Sequence, residues 1–205
     1  MITFVNCSPR HNSSNSKFII DDIIKNIEEK YYIINLYSNS FYDVCSCINK
    51  SKKVVFVFPL YVDAPPSKLL EFFEYVGEHK IKREVLIYAI SQCGFLESKH
   101  NDIAIKIVEC FCKNNCLEFF GCMKIGAGEI LGNSSLKKYI FINYDYFNKI
   151  KIFSYNLEYG KQVNLNTTIK FVGVHLYSFF ANIHWKGEIK KYKPDRVKLN
   201  INKVH

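Results

Sequence analysis

No stretch of this sequence approaches the roughly 18 uncharged apolar residues of a membrane-spanning helix, and no basic region precedes its first apolar run, Ile2 to Val5. A membrane partner is excluded as a reading, and a cytoplasmic protein is expected. Histidine patterns for zinc are missing: His11, His79, His100, His175, His184 and His205 are scattered, with no H-x-x-x-H or H-E-x-x-H. No metal site is expected. Acidic residues are few, 19 against 28 Lys and Arg. The excess is local, because Lys186 to His205 carries seven basic residues against two acids, +5 of the net +9. No helix-turn-helix, finger or RNP-like signature accompanies it. The stretch from about 186 therefore reads as a solvated basic tail, with no nucleic-acid partner.

Three familiar phosphate loops are absent as well. There is no G-x-x-x-x-G-K-[ST], and no G-x-G-x-x-G follows the first apolar run. A phosphatase loop beginning at Cys7 would need Arg where Ser13 stands. The second apolar run closes on Asn35 and Leu36, without the acidic residue that would hold a nicotinamide ribose. Internal repeats and low-complexity linkers are also lacking, so the 205 residues are read as a single domain.

What is present is an ordinary globular composition, 48% hydrophobic and 23% charged. Short runs rich in β-branched and aromatic residues recur at Ile2 to Val5, Tyr31 to Leu36, Val54 to Phe58, Val85 to Ile90 and Leu117 to Gly121. They are apolar at nearly every position, as parallel strands covered on both faces must be. Helical stripes lie between them: Phe18, Ile19, Ile23, Ile24 and Ile27; Leu69, Leu70, Phe73 and Val76 after Pro65 and Pro66; Ile103, Ile107, Val108 and Phe111. Further helices are expected in Leu136 to Ile150 and in Thr168 to Tyr192. YDVCSC, after the second strand, is read as a loop. Alternating strands and helices predict right-handed βαβ units and a doubly wound α/β sandwich, whose ligands bind beyond the carboxyl ends of the strands.

Between the first strand and the first helix lies SPRHNSSNS. Free amides and the positive end of the helix dipole converge there, which makes it an anion site. Ser8, Ser14, Ser16 and Asn15 can donate to phosphate oxygens and Arg10 can neutralise a charge. The alternative is that Asn15 or Ser16 merely caps the helix, with the rest solvated.

At this point the chain resembles a known family. CSPRHNSSNSKFI is similar to the G-S-P-R-x-N-S-N-[ST] loop of the NADPH-dependent FMN reductase branch of the flavodoxin-like superfamily. VVFVFPLYVDAPPSKLLEFFE resembles that branch's third strand, the following loop and its next helix. SQCGFLESKHN resembles the N-x-G-F-x-E loop, GCMKIGAGEIL the Gly-rich segment after the fifth strand, and FFANIHWKGEIKKY the terminal helix of clostridial-type members. Cys7 stands where Gly is usual and Gln92 where Asn is common.

The resemblance implies a five-stranded flavodoxin-like sheet of order 2-1-3-4-5 with helices on both faces. It also implies FMN, with its phosphate on Ser8, Arg10, Ser14, Asn15 and Ser16 and its ring beside Pro59, Leu60, Tyr61, Val62, Asp63, Cys93, Gly94 and Phe95. Gly94 would let the backbone approach closely, while Tyr61 and Phe95 offer flat apolar surface, or are simply core residues. GAGEILG would floor the ring, or is only a glycine turn.

Implied further are a homodimer and an NAD(P)H-dependent oxidoreductase that passes hydride to FMN and on to a small-molecule acceptor. No side-chain acid or base is required, so no catalytic residue is named. Two alternatives stand: a flavodoxin-like electron carrier, and a flavin-free interaction module. Cys7, Cys45, Cys47 and Cys93 would all lie near the carboxyl edge of the sheet, but without the compact spacing of an iron-sulfur site they read as unligated thiols. Cys110, Cys112, Cys116 and Cys122 read as small buried hydrophobes.

Overall fold

A computed structural model describes residues 1–79, 81, 84–132 and 143–170. Met1–Lys170 forms one compact unit. The basic tail lies outside the described residues, as does nearly all of the helix expected over Thr168 to Tyr192; Thr168 itself ends a strand.

The strands are β1 (Ile2–Asn6), β2 (Tyr31–Asn35), β3 (Lys53–Pro59), β4 (Leu86–Gln92), β5 (Glu118–Gly126) and β6 (Val163–Thr168). They form one six-stranded sheet of order β2-β1-β3-β4-β5-β6, parallel throughout. Every residue of β1 and β3 is buried, which accounts for their unbroken apolar runs. The sheet therefore follows the expected order and adds one strand at its end. β6 reads VNLNTT and is buried only at alternate positions, the pattern of an edge strand, so it carries no apolar run.

The helices are α1 (Asn15–Ile24), α2 (Phe41–Asn49), α3 (Ser67–His79), α4 (Asp102–Asn114) and α5 (Tyr144–Glu158). YDVCSC is no loop. It forms most of α2, started by Ser40, whose Oγ accepts from Asp43 N at 3.1 Å. Val44, Cys45 and Ile48 of α2 enter the core with Phe56, Phe72 and Val76. Cys45 and Cys47 are thus helical residues, and Cys45 belongs to the core rather than to a site loop. In α4 the buried face is Ala104, Ile105, Val108, Phe111 and Cys112, rotated from the expected stripe, so Ile103 is exposed. Phe111 stacks on Phe73 of α3, ring centroids 3.9 Å apart. Cys122 is buried as expected, whereas Cys110 and Cys116 are exposed. In α1 the expected polar residue Asp22 is buried; its carboxylate accepts from Lys25 Nζ at 2.7 Å and from the Tyr146 hydroxyl of α5 at 3.3 Å.

At the amino edge of the sheet, Glu29 receives the chain's amino terminus at 2.6 Å and Lys53 Nζ at 2.5 Å. Lys53 also donates to the Glu158 carbonyl, and Glu158 Oε1 accepts from the amides of Glu28 and Glu29. This network ties β1, β3, the approach to β2 and the end of α5 together. The opposite, carboxyl edge is left to the loops.

Candidate functional site

Asn6, the last residue of β1, shapes the first of these loops. Its Nδ2 donates to the His11 carbonyl at 3.1 Å and to Ser14 Oγ at 3.4 Å, while its Oδ1 accepts from Ser8 N at 3.1 Å. His11 takes a left-handed backbone, φ 51°, and its Nδ1 lies 2.9 Å from Ser38 Oγ. The loop is therefore built rather than slack. Ser14 caps α1: its Oγ accepts from Lys17 N at 3.1 Å and donates to the His11 carbonyl at 2.6 Å. That hydroxyl proton is committed inside the protein. The capping role falls to Ser14, not to Asn15 or Ser16. Ser16 is fully buried, with an Oγ that has no partner, and does not line the cleft described below. Ser8, Arg10 and Asn15 do.

The loop after β3 turns on a reciprocal pair, Tyr61 N to Ala64 O at 2.9 Å and Ala64 N to Tyr61 O at 3.0 Å. Val62 and Asp63 at its tip both have positive φ, 48° and 59°. For a β-branched residue this is strained, and strain of this kind gathers at binding sites. Val62 is 99% exposed and Tyr61 43%. Leu60 N donates to the Gln92 carbonyl at 2.8 Å, which fastens this loop to the end of β4.

After β4, the loop at Cys93 is held from both sides. Cys93 N donates to Ile125 O at 3.0 Å, while Gly128 N donates to Cys93 O at 2.8 Å and Ala127 N to Phe95 O at 2.6 Å. Asn101 donates to the Cys93 sulfur at 3.3 Å and to Ile125 O at 3.3 Å, and its own Oδ1 accepts from Ser91. Gly126 and Gly128 of GAGEILG serve this clasp. A Cβ on Gly126 would stand 2.2 Å from the Leu96 carbonyl oxygen, and one on Gly128 would stand 2.4 Å from Gln92 Oε1. Phe95 is 57% exposed and rests its ring on His100, centroids 4.4 Å apart. Tyr61 and Phe95 are thus surface aromatics, not core.

These loops enclose a polar cleft of about 60 Å³. It brings together Ser8, Arg10, Asn15, Pro59, Leu60, Tyr61, Cys93 and Gly94 of the expected site residues. Ser14 and Ser16 lie behind it, and Val62, Asp63 and Phe95 are not among its walls. Gln92 and Glu129 also line it; neither is among the expected site residues, although the GAGEILG segment that carries Glu129 is expected beside the ring. Gln92 Oε1 is buried without a hydrogen-bond partner among the described residues, an orphan acceptor that costs free energy unless a ligand donates to it. A wider, apolar hollow of about 350 Å³ lies on α4 beside Ile103, Lys106, Ile107 and Cys110, away from the strand ends, and offers almost no polar surface to recognise a ligand.

The thiols are poor ligands as they stand. Burial pushes the Cys7 thiol far up, its bond from the Val57 backbone notwithstanding. Cys45 is pushed up to about 11 by burial, and Cys93 is raised by the same cause. A thiolate is the ligating form, and burial opposes it at each of these positions. Among the described residues no three His, Cys, Asp or Glu converge on one point.

No protein-family model and no curated protein matches the sequence. Solved structures match it in three dimensions. An FMN-dependent NADH-azoreductase from Bacillus anthracis, solved with FMN, superposes with a TM-score of 0.55 at 13% identity over 77% of this chain and 99% of that one. An NAD(P)H:quinone oxidoreductase from Methanothermobacter marburgensis gives 0.57 at 13% identity over 77% and 96%. A flavodoxin from Streptococcus pneumonia gives 0.55 at 8% identity over 78% and 99%. At such identities the likeness is one of fold, and with the strand order β2-β1-β3-β4-β5-β6 it places this chain in the flavodoxin-like fold.

Proposed function

We propose that the protein binds FMN and acts as an NAD(P)H-dependent oxidoreductase on a small-molecule acceptor. The observation that carries this reading is the convergence of three loops on one polar cleft at the carboxyl edge, with the start of α1 as one wall. A phosphate fits there. The amide of Asn15 opens the helix and has no acceptor within it, Ser8 and Asn15 supply side-chain donors, and Arg10 supplies a positive charge with no ion pair among the described residues. The ring would lie along Pro59, Leu60, Tyr61, Cys93 and Gly94, with the exposed surfaces of Tyr61, Val62 and Phe95 at its margin. The enclosed volume suits the phosphate end, so the ring would rest on these rims rather than inside the cleft.

When bound, FMN supplies the two-electron chemistry. The residues of this chain anchor its phosphate, hold one edge of the ring with backbone groups, and leave space beside Tyr61 for a second ring. Solved structures of this fold include an FMN-dependent NADH-azoreductase and an NAD(P)H:quinone oxidoreductase, which supports the same assignment. The reading carries with it a single domain over residues 1–205, a homodimer and a cytoplasmic setting. Sedimentation tests the second of these and limited proteolysis the first.

The direct test is the colour of the purified protein, followed by anaerobic mixing with NADPH or NADH. Yellow protein that either nucleotide bleaches, and that a quinone recolours, supports the proposal. A protein that neither carries nor takes up FMN overturns it. Bound flavin that neither nucleotide reduces, while a chemical reductant does, replaces the oxidoreductase by an electron carrier.

A further inference from the structure

We propose, on the flavin reading above, that Glu129 selects the second substrate by charge, admitting electron acceptors that are neutral or cationic and turning away anionic ones. Glu129 follows β5 on the segment clasped to the Cys93 loop by Ala127 N and Gly128 N. Its carboxyl group lies against Gly94: a Cβ built there would stand 2.9 Å from Glu129 Cδ and 3.0 Å from Oε1. The carboxylate therefore occupies the ring end of the cleft, while the positive charge of Arg10 belongs to the loop at the start of α1.

Glu129 forms no hydrogen bond or ion pair among the described residues. Glu129 is exposed, so its field reaches the mouth of the cleft through water and fades over about one Debye length, about 8 Å at physiological salt. An unpaired carboxylate in such a place repels a sulfonate or carboxylate brought to the same edge. It tolerates a quinone, and it favours a nicotinamide, which becomes positive as it gives up hydride. The balance of the reaction is consistent with this. NAD(P)H loses a hydride, two electrons and one proton, and a quinone gains those two electrons with two protons, the second taken from solvent. Neither organic ring is required to bring an anion to the cleft.

The test is equilibrium binding to the oxidised, FMN-loaded protein, read by quenching of flavin fluorescence, with a naphthoquinone and its sulfonate as probes. Wild type is expected to bind the sulfonate about tenfold more weakly than the neutral quinone, a gap that narrows in high salt. Glu129→Gln should bring the two within about twofold by strengthening the sulfonate, and Glu129→Asp should retain most of the discrimination. An equal ratio in all three proteins overturns the proposal while leaving the flavin reading intact. Failure of wild type and variants alike to bind FMN overturns both.

Discussion

Two residues of the first loop have opposite expected effects when replaced. Arg10 is exposed and without an ion pair among the described residues, so Arg10→Gln should leave the melting temperature unchanged. A charge-assisted bond is worth about 1.5 to 3 kcal/mol, so the same change should weaken FMN by about tenfold or more while riboflavin, which has no phosphate, is unaffected. Ser14 holds the start of α1, and Ser14→Ala should cost about 1 kcal/mol of stability and weaken both flavins alike. Titration of each variant with both flavins, beside a denaturant melt, separates the two roles. If Arg10→Gln loses FMN and riboflavin equally, the loop does not hold the phosphate. The difference between Ser14 and Arg10 was not legible in SPRHNSSNS. Every hydroxyl there could donate to a ligand, and only the bonds of Ser13 to Arg10 and of Ser14 to His11 and Lys17 reveal which are spent inside the fold. Asn6 went unnoticed for the opposite reason: it ends an apolar strand, and nothing local marks it as the residue around which the loop is wound.

Among the elements, β6 depends on a single glycine. Gly121 opens the pairing of β5 with β6 opposite Val163, at φ 154°, next to a shift of register between β4 and β5. A Cβ on it would stand 1.9 Å from the Val163 carbonyl oxygen, backbone that cannot step aside. Gly121→Ala should therefore destabilise the protein by about 3 kcal/mol, measured by urea unfolding, and loosen the amide protons of Val163–Thr168 before those of β1 and β3. Stability within about 0.5 kcal/mol of wild type would show that β6 is dispensable. The inner strands were legible because burial on both faces forces an apolar residue at each position. β6 was not, since half of its residues face outward and read as polar loop. α2 escaped for a related reason: nine residues is close to the shortest length at which a helical period can be seen, and its buried face is completed by a cysteine. In α4 the period was right and the phase was wrong, because Ile103 and Ile105 are equally apolar and only packing against β4 and β5 decides between them.

The whole molecule is fastened at the edge opposite the cleft, where Glu29 meets the amino terminus and Lys53. Burial pushes its carboxyl up, but the hydrogen bonds and charges of Lys53 and the terminus more than offset this, so it ionises below the usual carboxylate range. A pKa lower in the folded than in the unfolded chain contributes stability that is fully present above about 4.3 and fades as the pH falls through the folded value. Glu29→Gln should thus lower stability by about 1 to 2 kcal/mol at neutral pH, and its deficit against wild type should shrink on acidification below about 4. A deficit that persists unchanged at low pH would mean that shape, not charge, is what Glu29 contributes. The order of the sheet has a further consequence for how this molecule comes into being. Among the six strands β1 is made first and finds both neighbours, β2 and β3, by Pro59; thereafter each new strand joins the edge exposed by the one before it. Assembly can keep pace with translation, with the edge at β2 fixed and only the opposite edge advancing. The last wall of the cleft, Glu129, emerges after β5 is complete, so a ligand arrives when five of the six strands already stand and cannot serve as their template.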